Sequence, residues 1–174
     1  MVAFMATEFT LRHHLNLSAA DFWAKVFFDN TFSERIYRDG LGFRHYELQE
    51  ETRFEDGRMT RVVVTEPEAK LPGPVRSVLG ETIRYVEKGS YTPEDKHYRF
   101  TVEPPKLANK IELQGELWVE AIDDKSIYRV FSMRCDVKVF GVGKLVEGAI
   151  EKTTRESNDK AAAYINQAIA DGRL

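Results

Sequence analysis

The chain has 174 residues, of which 43% are apolar and 30% charged, with a formal net charge of −3. That balance excludes a disordered chain. The absence of a basic stripe argues against nucleic acid as a partner, and no apolar run approaches the roughly 20 residues of a membrane span, so no integral membrane association is expected. Cys135 is the only cysteine, which rules out an internal disulfide and fits a cytoplasmic location. The opening MVAFMATEF lacks the basic region and apolar core of a secretory signal, and Met5 is an alternative start to Met1.

One domain is expected over residues 1–174. Its first element is a strand over 7–17, where Phe9, Leu11, Leu15 and Leu17 sit two apart. The alternation places His13 on the apolar face and His14 on the wet one. Two short helices follow over 19–39. Ser18 and Asp21 form a capping box for the first, with Phe22, Val26 and Phe27 on one face. Thr31 and Glu34 repeat the box for the second, and Gly40 is its expected C-cap.

The period then changes to two, and six strands are expected over 42–139. The turns between them are EDG at Glu55–Gly57, the proline-rich KLPGPVRSVLG with one helical turn at Val75–Leu79, TPED, and DDK. After Phe140 the pattern becomes helical again. Val142, Val146, Ala149, Ile150 and Thr153 mark one face of a helix over 142–170, about 42 Å long. Six hairpin-linked strands form an antiparallel sheet, and one long amphipathic helix can cover its concave side.

Three stretches carry a resemblance: LPGPVRSVLGETIRYVEKGSY (Leu71–Tyr91), KIELQGELWVE (Lys110–Glu120) and DVKVFGVGKLVEGAIEK (Asp136–Lys152). With this order of elements, the chain resembles the helix-grip α+β fold of the START-like (SRPBCC) superfamily. Within it, the chain is similar to a bacterial family of unknown function with polyketide-cyclase-like and lipid-transfer-like relatives. The resemblance implies a curved sheet of about seven strands around the last helix. It also implies an internal cavity for a hydrophobic or amphipathic small molecule, lipid-, sterol- or polyketide-like. It supplies no catalytic motif to carry over.

The expected lining of that cavity is His13, Leu15, Phe27, Tyr85, Phe100, Leu113, Arg129, Phe131, Met133, Val146 and Ile150. A neutral His13 either bonds a ligand or is a core histidine satisfied by the protein. Arg129, in parity with Phe131, either meets an acidic head group at the cavity mouth or reaches solvent. Metal ligation is not expected, because His13 and His14 point to opposite faces, and no cofactor is expected. Cys135 lies among apolar residues and reads as a small hydrophobe. FGVGKL fails as a phosphate loop and reads as a tight turn, with Gly141 and Gly143 there for backbone freedom. Trp118, on the outer face, sits beneath a helix or marks a contact patch.

Three functions fit. A carrier or sensor needs only an apolar cavity with polar anchors. A cyclase- or hydrolase-like enzyme needs converging titratable groups, and Glu47 facing His13 would supply them. An interaction domain with a filled core would show no cavity above about 300 Å³. The sequence does not specify the oligomeric state.

Overall fold

The computed structural model describes residues 5–174. Residues 1–4, with Met1 and the start of the segment read for a leader, lie outside the described residues. Seven strands are present: β1 (Thr7–Leu15), β2 (His45–Arg53), β3 (Met59–Glu66), β4 (Tyr85–Thr92), β5 (His97–Glu103), β6 (Ile111–Asp123) and β7 (Ser126–Val137). They form one antiparallel sheet in the order β1-β7-β6-β5-β4-β3-β2. β1 and β2 are consecutive in the chain yet occupy opposite edges. The two short helical segments between them therefore cross one end of the sheet. The architecture is the helix-grip α+β fold.

Helix α1 begins at Ala19–Asp21, capped by Ser18, whose Oγ accepts from the Asp21 amide at 3.1 Å. It widens over Phe22–Phe27 into a π-turn, where the Phe28 amide donates to the Trp23 carbonyl at 2.8 Å. The wide turn brings Phe22, Trp23, Val26 and Phe27 into the interior together. Helix α2 (Asn30–Arg35) widens in the same way over Ile36–Gly40. Its cap is Asp29, accepting from the Phe32 amide at 3.0 Å, rather than Thr31. Asp29 is extended, the geometry an N-cap needs, whereas Thr31 is already inside the helix. Gly40 is not the C-cap either. It is still helical, and a Cβ there would lie 2.9 Å from the Tyr164 ring.

Helix α3 (Gly73–Leu79) follows Pro72, and α4 (Gly143–Ala170) is the long terminal helix of 28 residues. β7 ends at Val137, earlier than the sequence pattern suggests. The chain turns at Gly141 (φ +80°), leaving Phe140 94% exposed. Gly143 has another reason for being glycine: a Cβ there would meet the Val137 carbonyl oxygen at 2.5 Å.

The α4 helix lies on β1 and β7, with α3 and the end of α2 also against it. Buried Glu147 anchors its first turns, accepting from Thr7 Oγ1 at 2.6 Å, the Val137 amide at 3.0 Å and Lys144 Nζ at 2.6 Å. The apolar interior divides into two clusters. One gathers α1, α2 and the far half of α4 around Leu15, Phe27, Tyr98 and Ile165. The other gathers α3 and the near half of α4 around Phe9, Leu79, Cys135 and Val146. Val102 and Phe131 touch both. Cys135 is fully buried, and burial pushes its thiol up to about 12, so it is packed and protonated. Trp118 is half-buried on the sheet. It stacks on His97 with centroids 5.1 Å apart and rings 3° from parallel.

Candidate functional site: a charged cavity under the terminal helix

Between the two clusters lies a cavity of about 220 Å³. The sheet forms one wall, α4 the opposite wall, the α1–α2 segment one end, and Leu71, Leu79 and Ile83 around α3 the other. Part of the space exists because rings lie flat on the sheet. Phe100 pairs in register with Gly89 on β4 and Gly115 on β6. A Cβ on Gly115 would stand 2.3 Å from the Phe100 ring, and one on Gly89 would stand 2.0 Å from Tyr98 Oη.

Eight of the eleven sequence-expected lining residues border the cavity: Phe27, Tyr85, Phe100, Leu113, Arg129, Phe131, Met133 and Ile150. His13, Leu15 and Val146 do not. β1 is the edge strand directly beneath α4, so its inward side chains meet the helix instead of open space. Leu15 is fully buried in the first cluster, and Val146 is fully buried in the second. His13 faces inward, with its side chain 16% exposed, but its Nε2 lies 2.7 Å from Asp159 Oδ1 on α4. His14 is exposed, its ring edge against Tyr128. Glu47 points outward and pairs with His45 at 3.3 Å, so it does not face His13.

The polar lining residues Tyr37, Arg61, Glu87 and Asn158 were not among those expected from the sequence. Arg61 is 8% exposed and lies 4.6 Å from the centroids of the Phe27 and Tyr98 rings. Its Nε donates to Tyr98 Oη at 3.0 Å, and its Nη2 is 3.7 Å from Glu87 Oε1. Tyr98 in turn donates to Glu87 Oε1 at 2.7 Å. Burial works against the Arg61 charge, but Tyr98, Glu87 and Tyr37 outweigh it and hold the guanidinium protonated. Strand parity with Met59 and Val63 is the signal that could have revealed it.

Arg129 has different surroundings. Its Nη1 donates to Asn158 Oδ1 at 2.7 Å, and Asn158 Nδ2 donates to the Thr154 carbonyl at 2.9 Å. Among the described residues no carboxylate lies within salt-bridge distance of Arg129. The neighbouring Asp159 faces solvent and takes His13. Burial pushes Arg129 down to about 10, opposed only by the field of Tyr37. Tyr85 is pushed up to about 12 by burial, and Tyr37 is raised by burial and by Glu87. Both phenols therefore stay protonated as potential donors.

The outer face of the sheet also has a broad open hollow. Most of its charges are matched on that face: Arg134 with Glu8, Arg99 with Glu116, Lys88 with Glu103. No helix among the described residues is long and apolar enough to cross a membrane.

The fold is shared with solved structures. The Zhui aromatase/cyclase from Streptomyces sp. R1128 superposes with a TM-score of 0.68 at 13% identity, covering 95% of this chain and 96% of that one. A norcoclaurine synthase point mutant from Thalictrum flavum, in complex with a transition-state analogue, gives 0.65 at 17%, covering 100% of both chains. A START superfamily protein from Mycobacterium smegmatis gives 0.62 at 12%, covering 92% and 97%. Identities this low carry the fold alone. No curated protein sequence matches the chain. Residues 10–169 match the family described as "Protein of unknown function (DUF2505)", so the chain belongs to that family.

Proposed function

We propose that the protein binds a hydrophobic or amphipathic small molecule in the cavity under α4 and carries or senses it without turning it over. The observation that supports this most is the lining itself, apolar on most sides with a few polar groups converging from β3, β4, β7 and α2. A cyclase- or hydrolase-like reading draws on the aromatase/cyclase and norcoclaurine synthase neighbours. It needs a free base in the cavity. The one carboxylate in the described lining, Glu87, is already engaged by Tyr98 and Arg61, and His13 is outside. A volume of about 220 Å³ falls short of the roughly 300 Å³ typical of ligand pockets, which favours the third reading, an interaction domain with a nearly filled core. Native mass spectrometry with lipid extraction, on protein purified from its host, separates these readings. A co-purifying small molecule is the expected result. A bare chain mass with no extractable ligand supports the interaction domain, and conversion of the bound molecule supports the enzyme.

A further inference from the structure

We propose that Arg129, with Asn158 and Tyr37 beside it, is the head-group subsite for a singly charged oxyanion, so that the ligand is an amphiphilic monocarboxylate-type acid. This rests on the binding role proposed above and names the class of ligand. The described cavity wall holds two cations, Arg61 and Arg129, and one carboxylate, Glu87. Glu87 is within 3.7 Å of Arg61 and accepts from Tyr98 at 2.7 Å, so that pair is internally neutral. Arg129, half-buried on the cavity wall, is left as the uncompensated charge.

An unmatched cation away from water is costly, and buried charges are usually paired. Arg129 is held in place by a neutral amide, and that amide is fixed by its own bond to the α4 backbone. A guanidinium has five N–H donors in a planar fork, and among the described residues only one bond, to Asn158, occupies it. The free donors belong to a residue that borders the cavity. The fork fits the two oxygens of a carboxylate. The protonated Tyr37 phenol borders the same space and is a further donor. Around this end the wall offers the guanidinium and hydroxyl groups but no free carboxylate, a set that discriminates against cations. Beyond it, Phe131, Met133, Leu113 and Ile150 form an apolar region for the body of the molecule. A dianion would overshoot the single positive charge.

The test compares acids with amides of the same shape. Binding of 2-naphthoate against 2-naphthamide, and of octanoate against octanamide, is measured on the full chain by ligand-observed NMR titration. In the unmodified protein each acid binds about tenfold or more tightly than its amide, the difference expected for a charge-assisted hydrogen bond over a neutral one. In a folded Arg129→Met the acids lose their preference over the amides. Arg129→Lys retains part of the preference, and Tyr37→Phe lowers it severalfold. Equal binding of acid and amide by the unmodified protein overturns the inference and leaves the binding role standing. So does a preference that survives in a folded Arg129→Met. If neither acids nor amides bind, the binding role itself fails.

Discussion

Arg129→Met should make the empty protein more stable, although it removes a hydrogen bond. Burial pushes Arg129 down to about 10, between two and three pH units below the ordinary guanidinium range. At about 1.4 kcal/mol per pH unit, holding the charge in the folded state costs about 3 kcal/mol. Methionine removes that cost and keeps an unbranched apolar stem against Phe131 and Met133. The opposing loss is the bond to Asn158 Oδ1, which leaves a buried acceptor unmatched at about 1–3 kcal/mol. The net expectation is neutral to about 2 kcal/mol more stable, within the range seen when buried charges are replaced by apolar residues. The sign with pH follows from the lowered value. The folded state binds the Arg129 proton less tightly than the unfolded chain does, so the penalty is fully present below about pH 10 and is relieved only above it. The gain should therefore be flat between pH 5 and 9. Urea denaturation of both proteins across that range measures it. A loss of more than about 1 kcal/mol at neutral pH would refute the reasoning, because Arg129 would then be a structural cation with a partner.

Ile150→Trp places a larger ring in the cavity. Stability should change by less than about 1 kcal/mol where the space is open, against about 1–3 kcal/mol in a filled core, and uptake of 2-naphthoate should be lost; melting curves beside titrations decide between the two. Gly89→Ala puts a methyl on Tyr98 Oη and disrupts the Arg61–Tyr98–Glu87 group, with an expected cost above about 3 kcal/mol in urea denaturation. Glu147→Gln should cost about 1–3 kcal/mol at pH 7. Although burial works against its charge, the bonds from Lys144, Thr7 and Val137 lower the Glu147 carboxyl overall, so its contribution holds above the usual carboxylate range and disappears as the pH falls through the lowered value. The two proteins should therefore converge in stability as the pH falls below the usual carboxylate range, as acid-dependent urea curves would show.

The sheet and its covering helix were legible because their periods differ. Alternation in β1 and in β5 to β7 keeps one face apolar, and the switch to a helical repeat after Phe140 marks α4. Ser18 and Asp21 announced a cap that the structure contains. The π-turns of α1 and α2 were not legible, since a five-residue backbone spacing has no pattern in the side chains. In β3, the run Val62, Val63 and Val64 is apolar on both faces, which masked the parity that would have turned Arg61 inward. For Arg129 the parity was visible but its depth was not. Depth depends on where α4 crosses the sheet, and that is set by contacts far apart in the chain: Glu147 with Thr7, and Gly40 with Tyr164. The same crossing explains the errors at His13, Leu15 and Val146, which lie where helix and sheet are in contact.

The interior is thus asymmetric: filled where α4 meets β1, open beside it above the inward residues of β3 to β6 and Arg129, Phe131 and Met133 of β7. In an apolar core, empty space costs roughly 24 cal/mol per Å³. Applied to a cavity of about 220 Å³, that is at most about 5 kcal/mol, less to the extent that water occupies the polar end. With the unmatched Arg129 the total is comparable to the whole net stability of many domains, about 5–15 kcal/mol. Larger apolar residues at Ile150, Thr153 or Ala149, and methionine at 129, would remove much of it by simple substitution. A chain whose task was to present its outer surface would lose nothing by such filling. A chain whose interior receives a molecule would lose its site. The ligand that fits this reasoning supplies both missing parts, apolar volume between Phe131 and Ile150 and one negative charge at Arg129. Binding would then return stability in proportion to its occupancy of the folded state alone.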